Sequence, residues 1–146
     1  MSQALYALAP RAKSRAELHT QLIKRGTETE IAAAVLDSLE LQGLLNDLEF
    51  AQIWVESRRR QKKMSSSAIT QELRGKGVAP DIIEEVMEGT DKEAEYRMAF
   101  DLAERKYRSC AHMEQMVIQR RIQSLLARKG FGHQITERIM RELLAS

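Results

Sequence analysis

The densest chemistry in this chain is the run Arg58-Arg59-Arg60-Gln61-Lys62-Lys63, five positive charges in six residues. A cluster of this kind can neutralise nucleic-acid phosphates or an acidic protein surface. It can equally be a solvated helix end whose cations oppose the helix dipole. Arg74, Lys76, Arg105, Lys106 and Arg108 could extend this patch, and Arg120, Arg121, Arg128 and Lys129 could form a second. These fourteen cations are the candidate contacts for a partner or for DNA.

Groups suited to covalent, acid–base or metal chemistry are sparse. Cys110 is the only cysteine, and His112 beside it has no further ligand at metal spacing. His19 and His133 stand alone and are expected to face solvent. Gly75-Lys76-Gly77 is too short for a phosphate-binding loop and follows a helical pattern rather than a strand. Glu84 and Glu85 are neighbours on a helix and point apart. No Ser-His-Asp or Cys-His order emerges. The expectation is a protein without catalysis, metal or cofactor.

The elements that must carry the cations are helical. The sequence is 43% hydrophobic and 30% charged, with two prolines and seven glycines. Its bulk is Ala, Leu, Glu, Arg, Lys, Gln and Met, all good helix formers. A net charge of +2 conceals strong segregation. Residues 1–50 carry 5 basic and 7 acidic side chains, residues 51–78 carry 7 and 2, residues 79–96 carry 1 and 7, and residues 97–146 carry 10 and 5. Such a pattern permits an anionic partner. A lone cysteine fits a reducing compartment. No apolar stretch approaches the ~20 residues of a membrane span. Met1 to Tyr6 lacks the features of a signal peptide. The expected location is the cytoplasm, and the expected state a monomer.

One pattern occurs three times. Leu18, Leu22, Gly26, Ile31, Val35 and Leu36 are spaced as are Ile69, Leu73, Gly77, Ile82, Val86 and Met87. Ile122, Leu126, Gly130, Ile135, Ile139 and Met140 repeat the spacing. Arg25, Lys76 and Lys129 precede the three glycines. Apolar residues four apart mark one face of a helix. The glycine then ends it in a left-handed conformation, with a cation beside the terminal carbonyls. A second helix follows, so each copy is a helix–glycine–helix pair.

Capping boxes are expected at Ser14–Glu17 and Thr27–Glu30, and a similar start at Thr90–Glu93. Ser65, Ser66 and Ser67 offer caps before Ile69, and Pro80 suits a first helical turn. A further helix precedes each pair: a stub from Ala4 to Leu8 stopped by Pro10, then about Asp47–Lys62, then about Asp91–Tyr107. Phe50, Ile53 and Trp54 should share an inward side of the second, and Met98, Leu102 and Ala103 of the third. Met98, Met113, Met116 and Met140 should fill packing gaps, and Phe131 should staple the third pair. The fold class is thus all-α, nine helices in three tandem three-helix units over 1–45, 46–89 and 90–146, in an elongated, curved array.

These residues resemble the RecX family. Ser14-Arg15-Ala16-Glu17-Leu18 through Arg25-Gly26 looks like its first-unit signature. Gly43-Leu44-Leu45-Asn46-Asp47 with Phe50-Ala51 resembles its Gly-hydrophobic-hydrophobic-Asp-Asp-x-x-Phe-Ala segment, with Asn46 where Asp is common. Ile69-x-x-Glu72-Leu73-x-x-Lys76-Gly77-Val78 is similar to the second unit. Ala103-Glu104-Arg105-Lys106-Tyr107 and Arg128-Lys129-Gly130-Phe131 are similar to the third. The family often has Lys-Gly-x-Gly-Pro before the second unit, where this chain has Lys62-Lys63-Met64-Ser65-Ser66.

The resemblance implies binding to the RecA–single-stranded-DNA filament, along its groove, with inhibition of recombinase, ATPase and coprotease activities in DNA repair and the SOS response. The basic runs add the expectation of weak non-specific contact with single- or double-stranded DNA. Two rival functions fit the residues. A helix-turn-helix regulator is permitted by the helix pairs, but the second helices around Glu28–Ile31 and Pro80–Glu85 are acidic, and phosphate would repel them. Only His133–Arg138 is passable. A helical adaptor for another partner would use the same charge pattern.

Overall fold

Leu18 and Leu22, one helical turn apart, are both buried, and this spacing recurs wherever the chain forms its core. A computed structural model describes residues 13–145 and holds eight α-helices and no strand among them. They are α1 (Arg15–Lys24), α2 (Thr29–Leu41), α3 (Asp47–Ser57), α4 (Ser66–Gly75), α5 (Pro80–Met87), α6 (Lys92–Cys110), α7 (Gln115–Arg128) and α8 (His133–Leu144). The protein is all-α. The expected stub at Ala4–Leu8 lies outside the described residues.

The three repeat glycines end α1, α4 and α7 as the spacing requires. Gly26, Gly77 and Gly130 have φ of 90°, 75° and 87°. Behind each, the next amide reaches back to the helix: Thr27 N–H to the Leu22 carbonyl at 3.1 Å, Val78 to Leu73 at 3.1 Å, and Phe131 to Leu126 at 2.9 Å. This is the closure expected of a left-handed helix end. Each pair, α1/α2, α4/α5 and α7/α8, is therefore built from the same local instruction.

The chain forms two compact units. The first comprises residues 1–56 and 70–88, the second 57–69 and 89–146. In the first, Leu18 and Leu22 of α1 meet Ala32, Leu36 and Leu39 of α2, together with Leu45. Burying each such leucine contributes about 1.5–3 kcal/mol. In the second, Tyr96, Ala99 and Ala103 of α6 pack with Ile122 and Leu126 of α7, Phe131, and Ile139 of α8.

Two buried serines organise the helix starts. Ser14 caps α1: its hydroxyl accepts from Glu17 N–H at 3.1 Å, and its own N–H donates to the Glu17 carboxylate at 3.1 Å. The same hydroxyl donates to the Lys76 carbonyl behind α4 at 2.7 Å. Ser65 repeats the arrangement in the second unit. Its hydroxyl accepts from Ala68 N–H at 3.0 Å and donates to the Gly130 carbonyl at 2.6 Å, while its N–H donates to the Lys129 carbonyl at 2.8 Å. The start of one repeat helix thus closes the end of the next. A Cβ on Gly77 would overlap the Ala16 Cβ, and one on Gly130 the Ala68 Cβ. Glycine is required there for space as well as for φ.

Several expectations are corrected. No capping box forms at Thr27: its amide closes the α1 turn, and α2 starts behind Glu28 with no side-chain cap. At α6 the cap is Asp91, which accepts from Glu93 N–H at 2.9 Å, while the Thr90 hydroxyl accepts from Arg59 at 3.0 Å. Ile53 is 51% exposed, because Phe50, Ala51 and Val55 form the buried stripe of α3. Ile31 is 53% exposed for the same reason, the stripe of α2 being Ala32, Leu36 and Leu39. Met116 is exposed and fills no gap, and His19 is half-buried.

The basic run has an unusual backbone. Arg58–Lys62 continues α3 as a π-helical turn, and Lys63 ends it at φ 54°, ψ 42°. A left-handed conformation costs a side-chain-bearing residue roughly 1–2 kcal/mol. Lys63 stands where the resembled pattern has its first glycine. Ser65 and Ser66 stand at the second glycine and the proline. Ser66 opens α4, where proline would be well placed, but here its N–H donates to the Glu95 carboxylate at 2.6 Å.

Candidate functional site: a cationic cleft on α6 and α7

The fourteen candidate cations separate by what their side chains do. In the first unit, Lys76 is an internal strut. Its ammonium pairs with Glu17 at 3.1 Å and lies 4.4 Å from the centre of the Trp54 ring. Burial pushes the Glu17 carboxyl up, but hydrogen bonds from Ser14 N–H and Lys76 outweigh it and hold the group below the usual carboxylate range. Trp54, half-buried over Phe50, donates its indole N–H to Glu72 at 3.2 Å. The tryptophan expected in the core is thus a platform for Lys76. Arg74, the other candidate in this unit, is exposed.

The remaining twelve fall in the second unit. Arg59 turns inward and donates to Thr90 at 3.0 Å and to Ser66 at 3.4 Å. Arg58 is half-buried, while Arg60, Lys62 and Lys63 are exposed along the π-turn. Arg105 is exposed, and Arg108 pairs with Glu104 at 3.0 Å. Lys129 is half-buried, its carbonyl taken by Ser65.

Lys106, Arg120, Arg121 and Arg128 converge. Lys106 from α6 and the three arginines from α7 line one cleft of about 280 Å³ together with Ser124. On α7, Arg121, Ser124 and Arg128 follow one another at three and four residues, the spacing that keeps side chains on one face. Their span is about 10.5 Å along the helix at 1.5 Å per residue. The cleft is lined by no carboxylate, and none of its four cations makes an ion pair or side-chain hydrogen bond among the described residues. Sequence grouping put Lys106 with the upstream patch, whereas packing of α6 against α7 places it with the downstream one. Ser124 was not singled out, although its place between Arg121 and Arg128 in a helical spacing was available as a signal.

Charge separates with the units. The first holds 7 basic and 13 acidic side chains, net −6, and the second 16 and 8, net +8. Among the described residues no helix is long and apolar enough to cross a membrane.

Comparison with known proteins places the chain. A family model described as the first three-helix domain of RecX matches residues 1–39, and one for the second three-helix domain matches residues 46–87. The chain is 40% identical over 143 residues to the regulatory protein RecX of Mycobacterium avium, covering 97% of this chain and 83% of that one. It is 34% identical over 137 residues to that of Amycolatopsis mediterranei (94% and 78%), and 38% identical over 146 residues to that of Mycobacterium tuberculosis (97% and 84%). The crystal structure of RecX from Lactobacillus salivarius superposes with a TM-score of 0.80 at 22% identity, covering 99% of this chain and 94% of that one, and supports the fold. This chain belongs to the RecX family of regulatory proteins.

Proposed function

We propose that this protein binds the RecA–single-stranded-DNA filament in the cytoplasm and restrains it, lowering recombinase, ATPase and coprotease activity. The observation that carries this reading is the segregation of charge. A unit of net +8 holds twelve of the fourteen candidate cations, and four of these share one cleft with no carboxylate among its described lining residues. A nucleoprotein filament offers such a surface phosphates in a regular array. Membership in a family of regulatory proteins supports this choice of partner. The three sequence copies, 1–45, 46–89 and 90–146, would act as tandem units of one monomeric binder. A helix-turn-helix mode gains no support from the acidic α2 and α5 starts.

The test is to titrate the purified protein into RecA on single-stranded DNA and follow ATP hydrolysis. A fall at protein far below RecA is expected if a bound molecule controls many protomers. A fall only near equivalence still supports binding along the filament. No fall, with no co-sedimentation with the filament, overturns the proposal.

A further inference from the structure

We propose that the cleft of Lys106, Arg120, Arg121, Ser124 and Arg128 is a phosphodiester-backbone site, which holds a nucleic-acid strand directly and without reading its sequence. This deepens the reading of the protein as a filament binder and rests on it only for the biological setting.

Four cations in about 280 Å³ with no carboxylate among them repel one another. In the first unit the chain answers comparable cations internally: Arg15 is bound by Asp37 and Glu40, and Lys76 by Glu17. The cleft is left to an anion from outside. The donor set favours phosphate. Three guanidiniums present planar forks that match phosphate oxygens two at a time. Lys106 adds a compact charge from the opposite helix, and Ser124 a hydroxyl that can bind an oxygen of either protonation pattern. Arg121 and Arg128 are two helical turns apart, which suits successive charges along a strand better than one isolated anion. No aromatic ring or amide side chain is among the lining residues, so the aromatic stacking and the amide contacts to adenine edges that hold bases elsewhere have no partner there. Arginine can also reach a guanine edge, but cations set along one helix face and its neighbour match the regular phosphate array that every sequence shares.

The experiment uses the full chain without RecA. Binding of labelled oligothymidine and of a labelled duplex is followed by fluorescence anisotropy across a salt series. The native protein is compared with R120Q/R121Q/R128Q and with the charge-matched K92Q/R97Q/R141Q, exposed cations of the same unit outside the cleft. Circular dichroism verifies that each remains helical. Each lost phosphate contact lowers the slope of log K against log salt by about 0.7 on a single strand and about 0.9 on a duplex. The cleft variant should therefore lose about 2 in slope on a single strand, with the matched variant close to native. The strand on which this loss occurs identifies the source of the phosphates. Equal slopes for the two variants overturn the proposal. So does displacement of the oligonucleotide by polyglutamate as effectively, per charge, as by unlabelled oligothymidine, which would assign the cleft to an acidic protein. Loss of slope in a protein that leaves RecA untouched keeps the cleft and removes the filament reading. Loss of RecA inhibition with the DNA slope intact does the reverse.

Discussion

The two compact units use the same helix–glycine–helix element but differ in which of their cations they answer with acids of their own. In the first unit Arg15 is tied to Asp37 and Glu40, which raise its pKa by side-chain hydrogen bonding against the cost of burial, and Lys76 is held between Glu17 and Trp54. In the second, Arg59, Arg108 and Arg138 are tied, while Lys106, Arg120, Arg121 and Arg128 line a shared cleft and make no ion pair or side-chain hydrogen bond among the described residues. The difference teaches that a repeat sets where side chains project, whereas the acids around them decide whether a cation is scaffold or ligand-facing.

The comparison breaks most sharply at the cap glycines. Gly77→Ala and Gly130→Ala each add the left-handed cost of a side chain to a collision with an alanine Cβ, and should each lose about 3 kcal/mol. Gly26 meets nothing within 4 Å among the described residues, so Gly26→Ala should lose only about 1 kcal/mol. Denaturant unfolding measures all three. Equal losses would mean that the helix contacts at Gly77 and Gly130 do not hold the repeats.

A smaller effect separates scaffold cations from cleft cations. Lys76→Met removes the Glu17 pair and the cation over Trp54, and should cost about 1 kcal/mol. It should shift Trp54 fluorescence and leave the DNA salt slope unchanged. The Glu17 carboxyl is depressed in the folded protein, so its stabilising contribution is full at neutral pH and is lost as pH falls through the folded value. In the Lys76→Met variant the loss of stability on acidification should be shallower. A fall in DNA binding equal to that of the cleft variant would erase the distinction between the units.

The smallest effect concerns the π-turn. Lys63→Gly relieves a left-handed lysine but loosens the unfolded chain, for a net gain of about 0.5 kcal/mol in thermal unfolding. A destabilised variant would show that the Lys63 side chain does more for the second unit than its exposure suggests.

Much of the fold was legible in the sequence. The triple spacing around Gly26, Gly77 and Gly130 determined three helix pairs and their left-handed ends, because helical period and the glycine conformation are local properties. The Ser14 capping box and Pro80 at a helix start were legible for the same reason. The grouping of Arg120, Arg121 and Arg128 was legible too, but tertiary structure decided which cations join or leave each group. Lys106 joins Arg120, Arg121 and Arg128 through the packing of α6 on α7, and Lys76 is withdrawn by Glu17, which lies 59 residues away along the chain. It also decided that Ser14 and Ser65 close helix ends 62 and 65 residues downstream. Local patterns fix backbone dihedrals and the faces of helices, but the pairing of charges and caps depends on contacts between segments distant in the sequence, which only packing brings together.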